Sequence, residues 1–141
     1  MKGGTTVFIA GCGDVGKRVA MLWLARGAVL AALARSAESA ARLSRLGIVP
    51  VRGDLGDPAT LRGIPSRDAL LYYLAPPPEA GEADPMARAF LAALPPGEEP
   101  AKAVYMSTTA VYGANRGAWV TEETPPAPAR AGERRGGQEC R

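Results

Sequence analysis

The chain has 141 residues, a formal net charge of +3, 22% charged and 47% apolar side chains, the size and balance of one folded domain and not of a disordered chain. Most of the basic excess lies in the last dozen residues and aromatics are only 6%, so no basic, aromatic-interleaved footprint for nucleic acid is present. Histidine is absent, which excludes His triads, His general bases and His-containing metal sites together.

Thr5 to Ala10 is a continuous β-branched and apolar run ending at glycines, the pattern of a strand buried on both faces. A helical period begins at Asp14, with Val15, Val19, Leu22 and Trp23 on one stripe and Gly27 where a C-terminal cap belongs. Ala28 to Ala34 is strand two. Ser36 or Ser39 caps a short helix that turns Ala40, Leu43 and Leu46 inward and ends at Gly47. Ile48 to Arg52 is strand three. Asp57-Pro58 and Asp84-Pro85 each place proline after an N-cap and mark helix starts, the second opening a helix with Met86, Phe90, Leu91 and Leu94. Ala69 to Leu74 is strand four, stopped by Pro76-Pro77-Pro78, and Ala103 to Ser107 is strand five. This alternation predicts an α/β, doubly wound parallel sheet over residues 1–120. Residues 121–141, rich in Pro and Arg, are expected to form a loop and an irregular end.

Lys2 followed by Val7 to Cys12 has the outline of a lipoprotein cleavage box, but its apolar stretch falls short of the roughly 7–15 residues a signal peptide needs. The longest apolar run, Val19 to Ala34, is broken by Arg26 and Gly27, so no membrane partner is expected. Cys12 and Cys140 lack CxxC spacing, which leaves neither a zinc ribbon nor a disulfide framework and makes a reducing cytoplasm the expected location.

Gly11-Cys12-Gly13-Asp14-Val15-Gly16 is a GxGxxG motif placed between a predicted strand and a predicted helix. Gly11 permits the tight turn, Gly13 leaves room for a pyrophosphate, and Gly16 lets the helix pack on the sheet with its amides toward the anion. Gly11, Gly16 and Lys17 also fit the phosphate-loop spacing GxxxxGK, but Arg18 stands where Ser or Thr must hold magnesium. Roughly 20 residues beyond the glycines an NAD-binding chain presents an acid to the ribose. Here strand two ends Ala34-Arg35-Ser36, and an arginine there suits a 2′-phosphate, favouring NADP over NAD. The alternative for Arg35 is a solvated arginine at a strand end.

These residues, with Gly53-Asp54-Leu55 after strand three, Leu74-Ala75-Pro76 after strand four and Ser107-Thr108-Thr109-Ala110-Val111-Tyr112-Gly113 after strand five, resemble the N-terminal half of an extended or atypical short-chain dehydrogenase/reductase, the group of NAD-dependent epimerases and dehydratases. The resemblance spans residues 5–126. It implies a Rossmann domain of strand order 3-2-1-4-5, with Asp54 at the adenine amino group, Leu55 in the adenine pocket, and Ala75 and Pro76, following Leu74, beside the ribose. It also implies that Thr108, with Ser107 its neighbour, hydrogen-bonds the reacting oxygen of a small-molecule substrate in an oxidoreductase or epimerase. Plainer readings stand beside these: Asp54 capping a turn, Ala75 to Pro78 as a strand stop, Ser107 and Thr108 satisfying local backbone groups, and Tyr112 packing as an aromatic instead of donating a proton.

The sequence departs from that group in two respects. No YxxxK pair exists, because Tyr72, Tyr73, Tyr105 and Tyr112 are followed four residues on by Pro76, Pro77, Thr109 and Arg116; a non-catalytic NADP sensor is therefore a rival expectation. The chain also stops after strand five, as a truncated product or a fragment would, and the open edge would favour self-association, in the simplest case a homodimer. Asp14 puts a negative charge beside the phosphate site, tolerable if it caps the helix and points away.

Overall fold

Unbroken apolar strands require cover on both faces, and this chain supplies it by sending its first two crossovers to one side of the sheet and the later segments to the other. The computed structural model describes residues 4–76, 84–106, 112–113 and 116–127. Its contacts divide into two units, Met1–Pro76 with Met86–Met106, and Pro77–Pro85 with Ser107–Arg141. The elements in order are β1 (Thr6–Ala10), α1 (Asp14–Leu24), β2 (Val29–Ala34), α2 (Ala37–Arg45), β3 (Val49–Arg52), a 3-10 turn (Pro58–Thr60), β4 (Leu70–Tyr73), α3 (Pro85–Ala92) and β5 (Lys102–Tyr105). All neighbouring strands are parallel and their order is β3-β2-β1-β4-β5, as the sequence predicts.

β1 sits at the centre, and its alternating side chains build two cores. Val7 and Ile9 join Leu30, Ala32, Ala20, Leu43 and Ile48 in the layer under α1 and α2. Phe8 and Ala10 join Ala31, Leu71, Tyr73, Leu61 and Ile64 in the other layer, closed by Ala87 and Phe90 of α3. The Phe8 and Phe90 rings stack at 6.1 Å, and Tyr73 lies 5.6 Å from Phe90. Both phenylalanines are fully buried, a contribution of about 1.5–3 kcal/mol each.

The helix ends follow their sequence signals. Ser36 accepts from the Ser39 amide at 3.1 Å while the Ser39 hydroxyl accepts from the Ser36 amide at 3.0 Å, so both serines named as candidates act in one capping box. After α1 the Gly27 amide donates to the Leu24 carbonyl and the Ala28 amide to that of Trp23; after α2 the Gly47 and Ile48 amides repeat the arrangement on Ser44 and Leu43. These are paired closures of the Schellman type.

Two expectations are corrected. The inward stripe of α1 is Gly16, Val19, Ala20 and Trp23, whereas Val15 and Leu22 are 47% and 61% exposed. A Cβ on Gly16 would come within 2.8 Å of the Gly11 carbonyl oxygen, so the smallest residue faces the sheet and fixes the rotation of the helix. Asp57-Pro58 starts only the three-residue 3-10 turn, although Asp57 does accept from the Ala59 amide at 3.3 Å. Gly63, with φ +66°, and Pro65 follow too soon for an α-helix to propagate.

In the second unit the described residues form turns, with the Thr121 amide donating to the Thr124 hydroxyl at 2.9 Å and the Thr124 amide to the Thr121 carbonyl at 3.0 Å.

Ser66, in the first unit, is fully buried and its hydroxyl has no hydrogen-bond partner among the described residues. Removing a buried hydroxyl that bonds nothing recovers about 1 kcal/mol of desolvation. Ser66→Ala is therefore expected to raise the urea midpoint at unchanged m-value; a lowered midpoint would mean that the hydroxyl is bonded in solution.

Candidate functional site

The β1–α1 turn is shaped by how closely it approaches the end of β4. Gly11 has φ +91°, and a Cβ there would stand 2.5 Å from the Ala75 amide nitrogen, so no other residue fits. The Gly13 amide closes the turn on the Gly11 carbonyl at 2.9 Å, and the Lys17 amide makes the first helical bond to Gly13 at 3.0 Å. Gly13 is the N-cap of α1 and offers no side chain to the first-turn amides, which remain available to an anion together with the positive end of the helix. A Cβ on Gly13 would meet nothing within 4 Å. The protein thus does not require this glycine for packing, and the space beside it suits a ligand.

Asp14 makes no cap hydrogen bond. Its Oδ2 accepts from Arg18 Nε at 3.1 Å, one turn along, with the two side chains 82% and 78% exposed. Val15 is exposed beside it and Gly16 is buried against the turn.

A cleft of about 370 Å³ opens at the carboxyl ends of β1, β2, β3 and β4, where doubly wound sheets take their ligands. Gly11, Arg35, Asp54, Leu55, Ala75 and Pro76 line it together, and Leu33, Gly53, Gly56 and Met86 complete the wall. Asp54 serves the loop with one oxygen, its Oδ1 accepting from the Gly56 amide at 2.9 Å, while its own amide donates to the Thr60 hydroxyl at 2.8 Å. The turn-capping reading of Asp54 is thus realised, and Oδ2 keeps no hydrogen bond among the described residues. Arg35 is exposed at the rim, with no carboxylate partner among those residues.

The remaining candidates lie elsewhere. Ser36 spends its hydroxyl on the α2 capping box, and Leu74 packs into the layer under α1 and α2. Ser107 and Thr108 lie outside the described residues, and Tyr112 is half-buried in the second unit. Cys12, half-buried in the turn, has its thiol pushed up by burial, an effect that Lys17 and Arg42 oppose, so it is held as a neutral thiol at neutral pH. Leu33, Gly56 and Met86 were missed as site residues; Leu33 was accessible in principle, being in phase with Ala31 on the side that faces Phe8 and Ala10.

No protein-family model and no curated protein matches this sequence. Solved structures do match. A conserved protein of unknown function from Silicibacter pomeroyi DSS superposes with a TM-score of 0.68 at 25% identity, covering 96% of this chain and 47% of its own. An epimerase candidate from Burkholderia cenocepacia J2315 gives 0.66 at 21% identity over 98% of this chain and 49% of its own. An anaerobillin reductase from Escherichia coli O157:H7 gives 0.58 at 22% identity over 74% and 51%. The fold is Rossmann-like. The chain spans about half the length of each of these structures. Among the described residues, no helix is long and apolar enough to cross a membrane and no His, Cys, Asp and Glu group converges as a metal site.

The two glycines of the turn should separate cleanly by mutation. Gly11→Ala is expected to lose about 3 kcal/mol of stability, from strained backbone and collision with Ala75. Gly13→Ala should cost about 1 kcal/mol or less, the difference between glycine and alanine at an N-cap. Thermal unfolding of the two variants checks this, and equal losses would show that Gly13 is also held by packing.

Proposed function

We propose that the cleft binds a dinucleotide, NADP in preference to NAD, and that this chain carries the cofactor-binding part of an oxidoreductase or epimerase of the short-chain dehydrogenase/reductase type, acting on a carbonyl or hydroxyl carbon of a small molecule. The observation that carries the reading is the convergence of Gly11, Arg35, Asp54, Leu55, Ala75 and Pro76 on one cleft beside the N-terminus of α1.

The residues present fit such a cofactor. The α1 amides and the open space at Gly13 would take the pyrophosphate. Asp54 Oδ2 would accept from the adenine amino group, with Leu55 and Leu33 as apolar walls, while Ala75 and Pro76 bring a backbone without bulky side chains alongside the ribose. Arg35 would pair with the 2′-phosphate through charge-assisted hydrogen bonds. The bound cofactor would supply hydride transfer. In this reading Thr108, with Ser107 beside it, polarises the substrate oxygen, and Tyr112 is the tyrosine available to donate a proton; these assignments rest on the resemblance of the segment after β5. The absence of YxxxK supports a second reading from another class, an NADP-binding sensor in which occupancy and not turnover is the output.

Calorimetric titration with both cofactors tests the reading. Arg35→Ala is expected to weaken NADP binding by about 1.5–3 kcal/mol and to leave NAD nearly unchanged. Equal losses for the two, or none, would remove Arg35 from the phosphate site.

Gly13→Val should stay folded and lose the stabilisation that NADP gives the parent in a thermal melt, since the branched side chain fills the pyrophosphate space. A valine variant still stabilised by NADP would place the pyrophosphate elsewhere.

A further inference from the structure

Arg52 was not singled out by any motif, yet its position in the sheet places it beside Arg35. In the β2–β3 ladder Ala34 pairs with Arg52, so the two arginines stand at the carboxyl ends of adjacent strands. The Arg52 side chain crosses to its neighbour, its Nη2 donating to the Arg35 carbonyl at 3.5 Å. This long contact occupies one of the five donors of a guanidinium. Both side chains are exposed, and neither has a carboxylate partner among the described residues, whose ion pairs are Arg18–Asp14 and Arg67–Glu98. The nearest acid along the chain, Asp54, has turned one oxygen inward to the Gly56 amide. Two arginines without a carboxylate partner among the described residues thus stand at the ends of adjacent strands, Arg35 lining the cleft and Arg52 in contact with the Arg35 backbone.

We propose that Arg52 is the second arm of the 2′-phosphate site, a specificity-determining residue that closes on the phosphate opposite Arg35. This rests on the dinucleotide reading above. A phosphate monoester carries nearly two negative charges at neutral pH, which matches a pair of guanidinium groups better than one. NAD has no group at that position and would gain nothing from Arg52. The rival role for Arg52 is mechanical, a tether for the backbone at the start of the β2–α2 turn.

The two roles separate by charge. Arg52→Gln keeps an N–H donor for the Arg35 carbonyl but loses the cation, whereas Arg52→Lys keeps the cation. Full-length parent, R52Q, R52K and R35A chains are titrated calorimetrically with NADP, with NAD and with adenosine 2′,5′-bisphosphate. The expected result is an approximately tenfold loss of affinity of R52Q for NADP and the bisphosphate, partial recovery in R52K, and NAD binding unchanged. NADP affinity of R52Q equal to the parent, while R35A still loses affinity, overturns the role of Arg52 and leaves the dinucleotide reading standing. Equal losses of NADP and NAD in R52Q mark a general disturbance of the turn and not recognition of the 2′-phosphate, and also overturn it. A parent chain that binds none of the three ligands overturns the dinucleotide reading itself, and the role of Arg52 with it.

Discussion

The close approach of the β1–α1 turn to the end of β4 is the constraint on which the site depends. Gly11 lies against the Ala75 amide, and Gly16 lies against the Gly11 carbonyl. The first contact keeps two strand ends side by side with no side chain between them. The second pins one face of α1 to the sheet, which sets the rotation of the helix and aims its amides across the turn. A bulkier residue at either position would separate helix from sheet, moving the wall of the cleft and the anion-binding end together. Packing therefore fixes the same backbone atoms to which the proposed function gives the ligand. Gly13 stands apart because nothing in the protein presses on it.

Electrostatics complete what packing begins. The cleft combines the positive end of α1 with Arg35 at its rim, and the one carboxylate on its wall, Asp54, is half engaged in its own loop. Asp14 would oppose an anion if its carboxylate faced the turn, but its pairing with Arg18 along the exposed side of the helix directs it away. The pair is too exposed to contribute much to stability. Its consequence is orientation.

Most of the fold is legible in the sequence because the three inner strands, β2, β1 and β4, are largely buried and almost wholly apolar; Val7 to Ala10 has no polar interruption. Ser36, Gly27 and Gly47 mark the helix ends through local chemistry that acts the same way in any context. The failures have a common cause in tertiary packing. Side-chain size along α1 favours Val15 and Leu22 for the inward stripe, whereas backbone proximity favours Gly16 and Ala20. Asp57-Pro58 is a sound local start whose continuation is cancelled by Gly63 and Pro65. The motif-bearing residues of the site were legible because each follows a strand directly. Leu33, Met86 and Arg52 were not, since their relation to the cleft arises from strand pairing and from the placement of α3.

The chemistry of the cleft wall sets a division of labour. The residues that line it hold through backbone amides, small side chains, one arginine and one aspartate. Arginine stays protonated throughout the accessible pH range, and the assigned place for Asp54 is at the adenine, the end of a dinucleotide remote from its reacting ring. Cys12, in the β1–α1 turn, is kept neutral by burial. Under the proposed function the wall formed by β1 to β4 would select and orient the cofactor, and the proton donor would have to come from residues other than those lining the cleft.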